Sequence, residues 1–510
     1  MNAFLNFNNV TFGFDATPEP LFTNVTLTFP TGWTGIAGAN GCGKSTLLHL
    51  ASGLIAPTTG RVLRPGTAVY CAQRTDTPPD RFDDFLDATD HEAGVLQRGL
   101  DVDPDWLSRW STLSHGERKR AQIAVALWFD PDVLAIDEPT NHLDSAAREM
   151  LAQALRSFRG IGLLVSHDRE LLDSLSSQTL LLRAGSLELQ SGGYSTAMRR
   201  AEADDAALRD EYSRRKQNAD RLAAEAARRR AEADRADGRR SKRHLALRDH
   251  DGRGKIDAAI VSGADGKAGR LARQLDGRVE HARTQLAAIQ LTRKYDINFW
   301  LPDSRADRPI LHHEPAGSTV MNPSEIENAH IRFLHFPDLV IDRGARIAIT
   351  GVNGSGKSTL IRYLLGCFRL PDDRVIYLPQ EIDAADSSAI MTEVNSLSRA
   401  RLGQVMTIVS CLGSRPDRLV GNVDVSPGEL RKVMLALGII RNPWLIVMDE
   451  PTNHLDLPAV EALEDALANC PCALLLASHD ARFLERLTST EWRIESSRVK
   501  VRQMQGTNNY

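Results

Sequence analysis

The sequence predicts an α/β protein in which two copies of one mostly parallel-sheet domain are joined by a long α-helical hairpin linker. Three observations lead there. A set of short motifs occurs twice at a near-constant offset, and short apolar runs alternate with helical segments in each copy. Between the copies lies a stretch dominated by Ala and Arg with the apolar spacing of amphipathic helices.

The repeat organises the chain. The run Gly38, Ala39, Asn40, Gly41, Cys42, Gly43, Lys44, Ser45, Thr46 returns as Gly351, Val352, Asn353, Gly354, Ser355, Gly356, Lys357, Ser358, Thr359. Asp137 to Asp144 returns unchanged as Asp449 to Asp456, and Ser166-His167-Asp168 returns as Ser478-His479-Asp480. The shifts, read at Lys44, Asp137 and His167, are 313, 312 and 312 residues. Separate motifs moving together by one distance mean a duplicated domain. The expected boundaries are residues 1–196 for the first copy, 197–315 for the linker and connection, and 316–510 for the second copy.

Within each copy, residues 33–37, 133–136 and 162–165, and again 445–448 and 473–477, are uniformly apolar. Strands buried on both faces of a parallel sheet read this way.

The linker has another character. Gly and Pro are absent from residue 197 up to Gly238, which favours a long helix. Met198, Ala201, Leu208, Tyr212, Leu222 and Ala226 form a thin apolar seam. After a middle broken by Gly252, Gly254, Gly263, Gly266 and Gly269, a second seam runs through Leu271, Leu275, Val279, Ala282, Leu286 and Ile289. Two such helices predict an antiparallel hairpin, and 40 helical residues would reach about 60 Å. Residues 197–295 hold 25 Lys/Arg against 16 Asp/Glu, a net of +9, whereas the rest of the chain nets −13. The positive charge gathers at the tip, in Arg239, Arg240, Lys242, Arg243, Arg248, Arg253, Lys255, Lys267, Arg270 and Arg273. A solvated spacer is the plain alternative, but such a cluster favours a polyanionic partner.

The bulk numbers exclude other classes. A chain of 510 residues is too long for one core, and its net charge of −4 says nothing by itself about partners. No apolar stretch approaches the roughly 20 residues that cross a bilayer. The start shows no signal-peptide pattern. Six cysteines are scattered through the chain, and only Cys470 and Cys472 are close; all six are expected to be reduced. A cytoplasmic protein follows as the expectation.

The motifs carry phosphate chemistry. Gly-x-x-x-x-Gly-Lys-Ser turns successive backbone N–H groups onto phosphates at a helix N-terminus. Lys44 and Lys357 would reach the β- and γ-phosphates, while Ser45 and Ser358 would ligate Mg²⁺. Asp137 and Asp449 close apolar strands at the sheet edge where ligands bind, which suits Mg²⁺ coordination. Glu138 and Glu450 follow as candidate general bases for an attacking water. His167 and His479 follow a buried strand and suit γ-phosphate and water positioning. Gln73 and Gln380 end strands downstream of the phosphate loops and suit metal and water ligation. Ser114-His115-Gly116-Glu117 and Ser426-Pro427-Gly428-Glu429 have the Ser/Glu spacing of a capping box, and such a helix start can also face a phosphate.

In that order, these motifs resemble the ATP-binding cassette (ABC) ATPases. The Ser-x-Gly-Glu runs are similar to the family's Leu-Ser-Gly-Gly-Gln signature, with His115 and Pro427 departing from its first Gly. The resemblance implies two P-loop ABC-type nucleotide-binding domains, an intramolecular cassette dimer, and Mg-dependent ATP hydrolysis at two composite sites. Ser114, Gly116 and Glu117 would complete the site of Lys357, and Ser426, Gly428 and Glu429 that of Lys44. Phe14 stands where the family stacks an aromatic on adenine, and Phe333 is the nearest aromatic in the second copy. Tandem cassettes, Pro-Thr-Asn-His-Leu-Asp in both copies, no integral membrane segment and a charged helical linker resemble the ABC-F subfamily specifically. That implies a ribosome partner, with rRNA and tRNA approached by the linker tip, and a role in translation or in ribosome protection and antibiotic resistance. The alternative is the ATP-binding subunit of a transporter with separate membrane proteins.

Overall fold

The computed structural model describes residues 3–14, 19–141, 143–183, 186–240, 266–287, 289, 300, 310–321, 333–414, 426–453 and 455–504; of residues 232–240, 266–273, 310 and 384 it describes only the backbone. The chain divides into two compact units, one formed by Met1–Ala197 with Tyr295–Tyr510, the other by Met198–Lys294.

In the first cassette, six strands lie in the order Ala68–Cys71, Val133–Asp137, Ile161–Val165, Gly32–Gly38, Ser176–Arg183, Ser186–Ser191. All neighbours are parallel except the last pair. The second cassette repeats the arrangement with Val375–Leu378, Leu445–Asp449, Ala473–Ala477, Arg346–Thr350, Thr490–Glu495 and Arg498–Gln503. Every residue of Val133–Asp137, Ile161–Val165, Leu445–Asp449 and Ala473–Ala477 is buried, which is why these strands show no alternation.

The strand order positions the chemistry. The strand before each phosphate loop is separated from the strand ending in Asp137 or Asp449 by one intervening strand, the one that leads to His167 or His479. Because the three strands are parallel, their carboxyl ends share one edge.

A smaller antiparallel sheet, Phe22–Pro30, Phe4–Phe12 and Thr59–Leu63, packs on the first phosphate-loop helix through Leu5, Phe7, Phe29, Leu47 and Leu48. In the second cassette Ile310–Glu314 pairs with Leu339–Asp342, so strand structure of that cassette begins ahead of residue 316. Gly317–Val320 pairs with Phe333–Phe336.

Gly162 lies opposite Trp33 in the sheet, and a Cβ built there would come within 2.3 Å of the indole. That indole is 5% exposed and pinned by a 2.9 Å bond from Nε1 to the Leu155 carbonyl. Gly162→Ala is therefore expected to destabilise the first cassette by about 1–3 kcal/mol through overpacking. An unchanged unfolding midpoint in denaturant would contradict this packing.

The two cassettes meet through charged contacts. Arg169 donates through Nη1 to Glu464 (3.1 Å) and through Nη2 to Glu464 and to Asp480 (3.3 Å). Arg482 pairs with Asp173 at 2.8 Å, and the Tyr194 hydroxyl donates to Glu461 at 2.8 Å. Glu464 is 2% exposed, so its charge depends on these partners.

The helical unit contains Tyr194–Arg240, whose first turn belongs to the cassette unit, and Gly266–Ala287. Ala226 packs with Leu275 and Val279, Arg230 pairs with Asp276 at 2.7 Å, and Arg215 reaches the Gln285 carbonyl at 3.4 Å. Later residues of one helix meet earlier residues of the other, so the pair is antiparallel. Leu208, placed in the seam by its spacing, is exposed. The side chains of the basic tip, Arg239, Arg240, Lys242, Arg243, Arg248, Arg253, Lys255, Lys267, Arg270 and Arg273, and of Leu271, lie outside the described residues.

One expectation is corrected. Cys470 and Cys472 form a disulfide instead of two thiols, while Cys42, Cys71, Cys367 and Cys411 are free. Their Cα atoms are 5.5 Å apart across the turn into Ala473–Ala477, a separation that a disulfide spans.

Candidate nucleotide sites

Each phosphate loop closes into a helix, Lys44–Ser52 or Lys357–Cys367, through a glycine in the left-handed region: φ is 102° at Gly43 and 103° at Gly356. Gly41 and Gly354 repeat that geometry at 74° and 73°, and a Cβ there would meet nothing within 4 Å, leaving an open cradle of backbone N–H groups. Lys44 Nζ donates to the carbonyls of Gly38 (2.9 Å) and Ala39 (3.1 Å). Lys357 Nζ donates to the Gly351 carbonyl (2.9 Å) and lies 2.8 Å from His479 Nε2.

Opposite each loop the arrangement repeats. Ser45 stands beside Asp137, and Ser358 beside Asp449. Burial raises both aspartates above the usual carboxylate range. Asp449 Oδ1 is buried without a protein partner, as a ligand atom waiting for a hard cation would be. Among the described residues no cluster of three His, Cys, Asp or Glu side chains forms, so a cation would take its remaining ligands from hydroxyl, amide, water or phosphate oxygens. The donor set suits Mg²⁺.

Glu138 and Glu450 hold φ at 47° and 49°, an uncommon region for a residue that is not glycine. Each is tied to the neighbouring strand from both ends. Glu138 N donates to the Val165 carbonyl (2.9 Å) and His167 N donates to Glu138 Oε2 (3.1 Å). Glu450 N donates to Ala477 (2.8 Å) and His479 N to Glu450 Oε2 (3.3 Å).

The two sites differ in their imidazoles. His167 Nε2 lies 3.0 Å from Glu138 Oε1. His479 Nε2 is 3.5 Å from Glu450 Oε1 and is drawn to Asn353 Oδ1 (2.9 Å) and Lys357 instead. Burial raises Glu450 to about 7, partly offset by Lys357, and burial with the charges of Lys357 and Arg148 lowers His479 to about 3. Glu138 is equally buried, yet His167 and Lys44 bring its carboxyl below the ordinary glutamate value.

Gln380 lines the Lys357 cleft, and its carbonyl is held by Arg431, which also donates to the Glu450 carbonyl at 3.0 Å. Lys119, at the matching position, holds the carbonyls of Ala72 (2.6 Å) and Asp137 (3.0 Å), next to Gln73. Ser114 and Glu117 form the expected capping box on His115–Trp128. Ser426 accepts from Glu429 N on Pro427–Ile439, where Gly428 is buried. Ser114, Gly116 and Glu117 are not among the residues lining the Lys357 cleft; Leu143 and Arg148 represent the first cassette there. Across the other face, Asn40 N donates to Asp456 Oδ2 at 2.6 Å.

Several participants escape motif reading. Tyr70 donates to Asp137 at 3.2 Å. Phe14 is half exposed beside Phe12, which pairs with Phe22. In the second cassette Thr319 pairs with Leu334, the residue that repeats Phe22, so Met321 occupies the position of Phe14 and lines the cleft. Phe333 pairs with Val320 and repeats Leu21 instead. Only strand register reveals this.

Comparison with known proteins accords with the geometry. The family profile described as ABC transporter matches residues 22–141 and 334–453. Ribosome protection protein VmlR of Bacillus subtilis is 29% identical over 481 residues, 91% of this chain and 82% of that one. Energy-dependent translational throttle protein EttA of Mycobacterium tuberculosis is 28% identical over 534 residues, 91% of this chain and 87% of that one. Among solved structures, the archaeal ribosome recycling factor aABCE1 superposes with a TM-score of 0.63 at 18% identity, over 98% of this chain and 91% of that one, which shows a shared fold. No helix among the described residues is long and apolar enough to cross a membrane. With two profile matches, the duplicated phosphate-loop edge and a helical unit between the cassettes, the chain belongs to the ABC-F subfamily of ATP-binding cassette proteins.

Proposed function

We propose that this protein binds and hydrolyses ATP with Mg²⁺ at two sites, and that an open-to-closed cycle of its cassettes governs binding to the ribosome, controlling translation or protecting the ribosome. The observation that carries the catalytic half is the doubly tethered, left-handed glutamate facing each phosphate loop. Lys44 and Lys357 would bind the β- and γ-phosphates, Ser45, Asp137, Gln73 and their repeats would hold the cation, and Glu138 and Glu450 would take a proton from water. His167 and His479 would orient that water. On closure, Ser114 and Gly116 would meet the nucleotide at Lys357, and Ser426 and Gly428 that at Lys44.

The ribosomal half rests on relatives named for ribosome protection and translational throttling that match nine-tenths of the chain, and on the linker net charge of +9. The tip would contact RNA phosphates, whose contribution falls steeply with salt. Replacing Arg239, Arg240, Lys242 and Arg243 by Ala is expected to leave stability within about 0.5 kcal/mol. It should weaken ATP-dependent co-sedimentation of a hydrolysis-deficient form with ribosomes and flatten its salt dependence. Equal binding across a salt titration would return the linker to a spacer. Co-sedimentation with membranes in place of ribosomes would favour the transporter-subunit reading, which the profile description keeps in view.

A further inference from the structure

The Lys357 cleft contains one cation that its own cassette does not supply. Arg148 lies on Ser145–Arg156 of the first cassette, yet it lines the cleft with Asn353, Lys357, Glu450 and His479. Its placement is fixed by bonds from Nε to the Leu143 carbonyl (3.1 Å) and from Nη1 to the His479 carbonyl across the interface (3.3 Å). Asp168 stands 3.7 Å from Nη1, too far for a hydrogen bond, so the charge is only partly balanced. These bonds engage Nε and Nη1; among the described residues Nη2 has no such partner.

Arg148 and Lys357 thus bring two cations to one volume, beside the His479 imidazole and the carboxyl groups of Asp449 and Glu450, an arrangement that suits a multi-oxygen anion carrying its own metal cation. The repeat supplies an internal control. The residue 312 positions on is Val460, which is 2% exposed and packed in the second cassette's core. The Lys44 site therefore lacks the equivalent charge.

Resting on the ATP-site reading above, we propose that Arg148 contacts the terminal phosphate of the nucleotide held at Lys357, a cross-cassette contact that the Lys44 site does not have. A guanidinium from a neighbouring domain is well suited to terminal-phosphate charge, since its planar fork matches two phosphate oxygens. The second site then distinguishes ATP from ADP through the first cassette, and ATP there draws the cassettes together. The first site lacks that link.

The test uses the full chain carrying Lys44→Ala, so that the Lys357 site is read alone by displacing a fluorescent ATP analogue with ATP and with ADP. Arg148→Gln is expected to weaken ATP by roughly 10-fold or more, the usual cost of a hydrogen bond to a charged group, and ADP by less than about 2-fold. Arg148→Lys should fall between the two. In the reciprocal Lys357→Ala background, Arg148→Gln should leave the ATP affinity of the Lys44 site unchanged. Equal losses for ATP and ADP, no loss at all, or the same loss at both sites would overturn the proposal while leaving the ATP-site reading in place. Absence of ATP binding in both single-site parents would reject the ATP-site reading itself, and this proposal with it.

Discussion

The Glu138→Gln/Glu450→Gln double variant should lose steady-state phosphate release by about 10²- to 10⁴-fold or more while still binding ATP, because each substitution removes a proton acceptor and little else. Both glutamates are 5% exposed, so a replacement must keep the volume. Glutamine does, and its amide oxygen can still accept from His167 N or His479 N, the bonds that tie the residue to the adjacent strand. The backbone at φ near 48° also asks no more of Gln than of Glu. Phosphate release and equilibrium ATP binding on the same preparation decide the matter. Undiminished turnover would remove both carboxylates from the catalytic role.

Arg169→Met should lower the unfolding midpoint of the cassette unit, with a loss of about 3 kcal/mol. Removing one partner of a buried ion pair usually costs about 3–5 kcal/mol, since the other charge remains without compensation. Glu464 would be left 2% exposed on the opposite cassette, with Asp480 losing the same partner. The lower end of that range applies because Arg486 still lies 3.0 Å from Glu464. Adding Glu464→Met should recover much of the loss, since two apolar side chains can replace the pair. If the double variant is less stable than Arg169→Met alone, Glu464 owes its stability to Arg486 rather than to the contact between cassettes.

Much of this was legible in the chain. Gly, Lys and Ser in the phosphate loops, the Asp-Glu strand ends and the His after the adjacent strand are read locally, because their chemistry fixes the residue type and the strand fixes the place. The duplication made each reading count twice. The hairpin was legible for a similar reason: helix spacing is a short-range property. What the sequence concealed depends on register or on the meeting of the cassettes. Met321 stands in for an aromatic only because Thr319 pairs with Leu334. Arg148 looks like one more exposed helix charge until the His479 carbonyl is found beside it. The Arg169 and Glu464 pair joins residues 295 positions apart, and the motif that ends at Asp168 does not point to Glu464.

The strand order carries a dimensional consequence. Adjacent strands in a sheet lie about 4.8 Å apart. With a single strand between the phosphate-loop strand and the strand ending in Asp-Glu, the backbones of those two strands stand two spacings, about 10 Å, from each other in both cassettes. Side chains from both strand ends reach into that width, Lys357 Nζ coming to 3.9 Å from Glu450 Oε1, and one more strand would hold the lysine away from the carboxylates. The sheet therefore serves as a gauge block, its width set by backbone hydrogen bonding and indifferent to side-chain identity. That is how two cassettes with different imidazole partners, and with Phe14 in one and Met321 in the other, can still hold those two strands at equal separation.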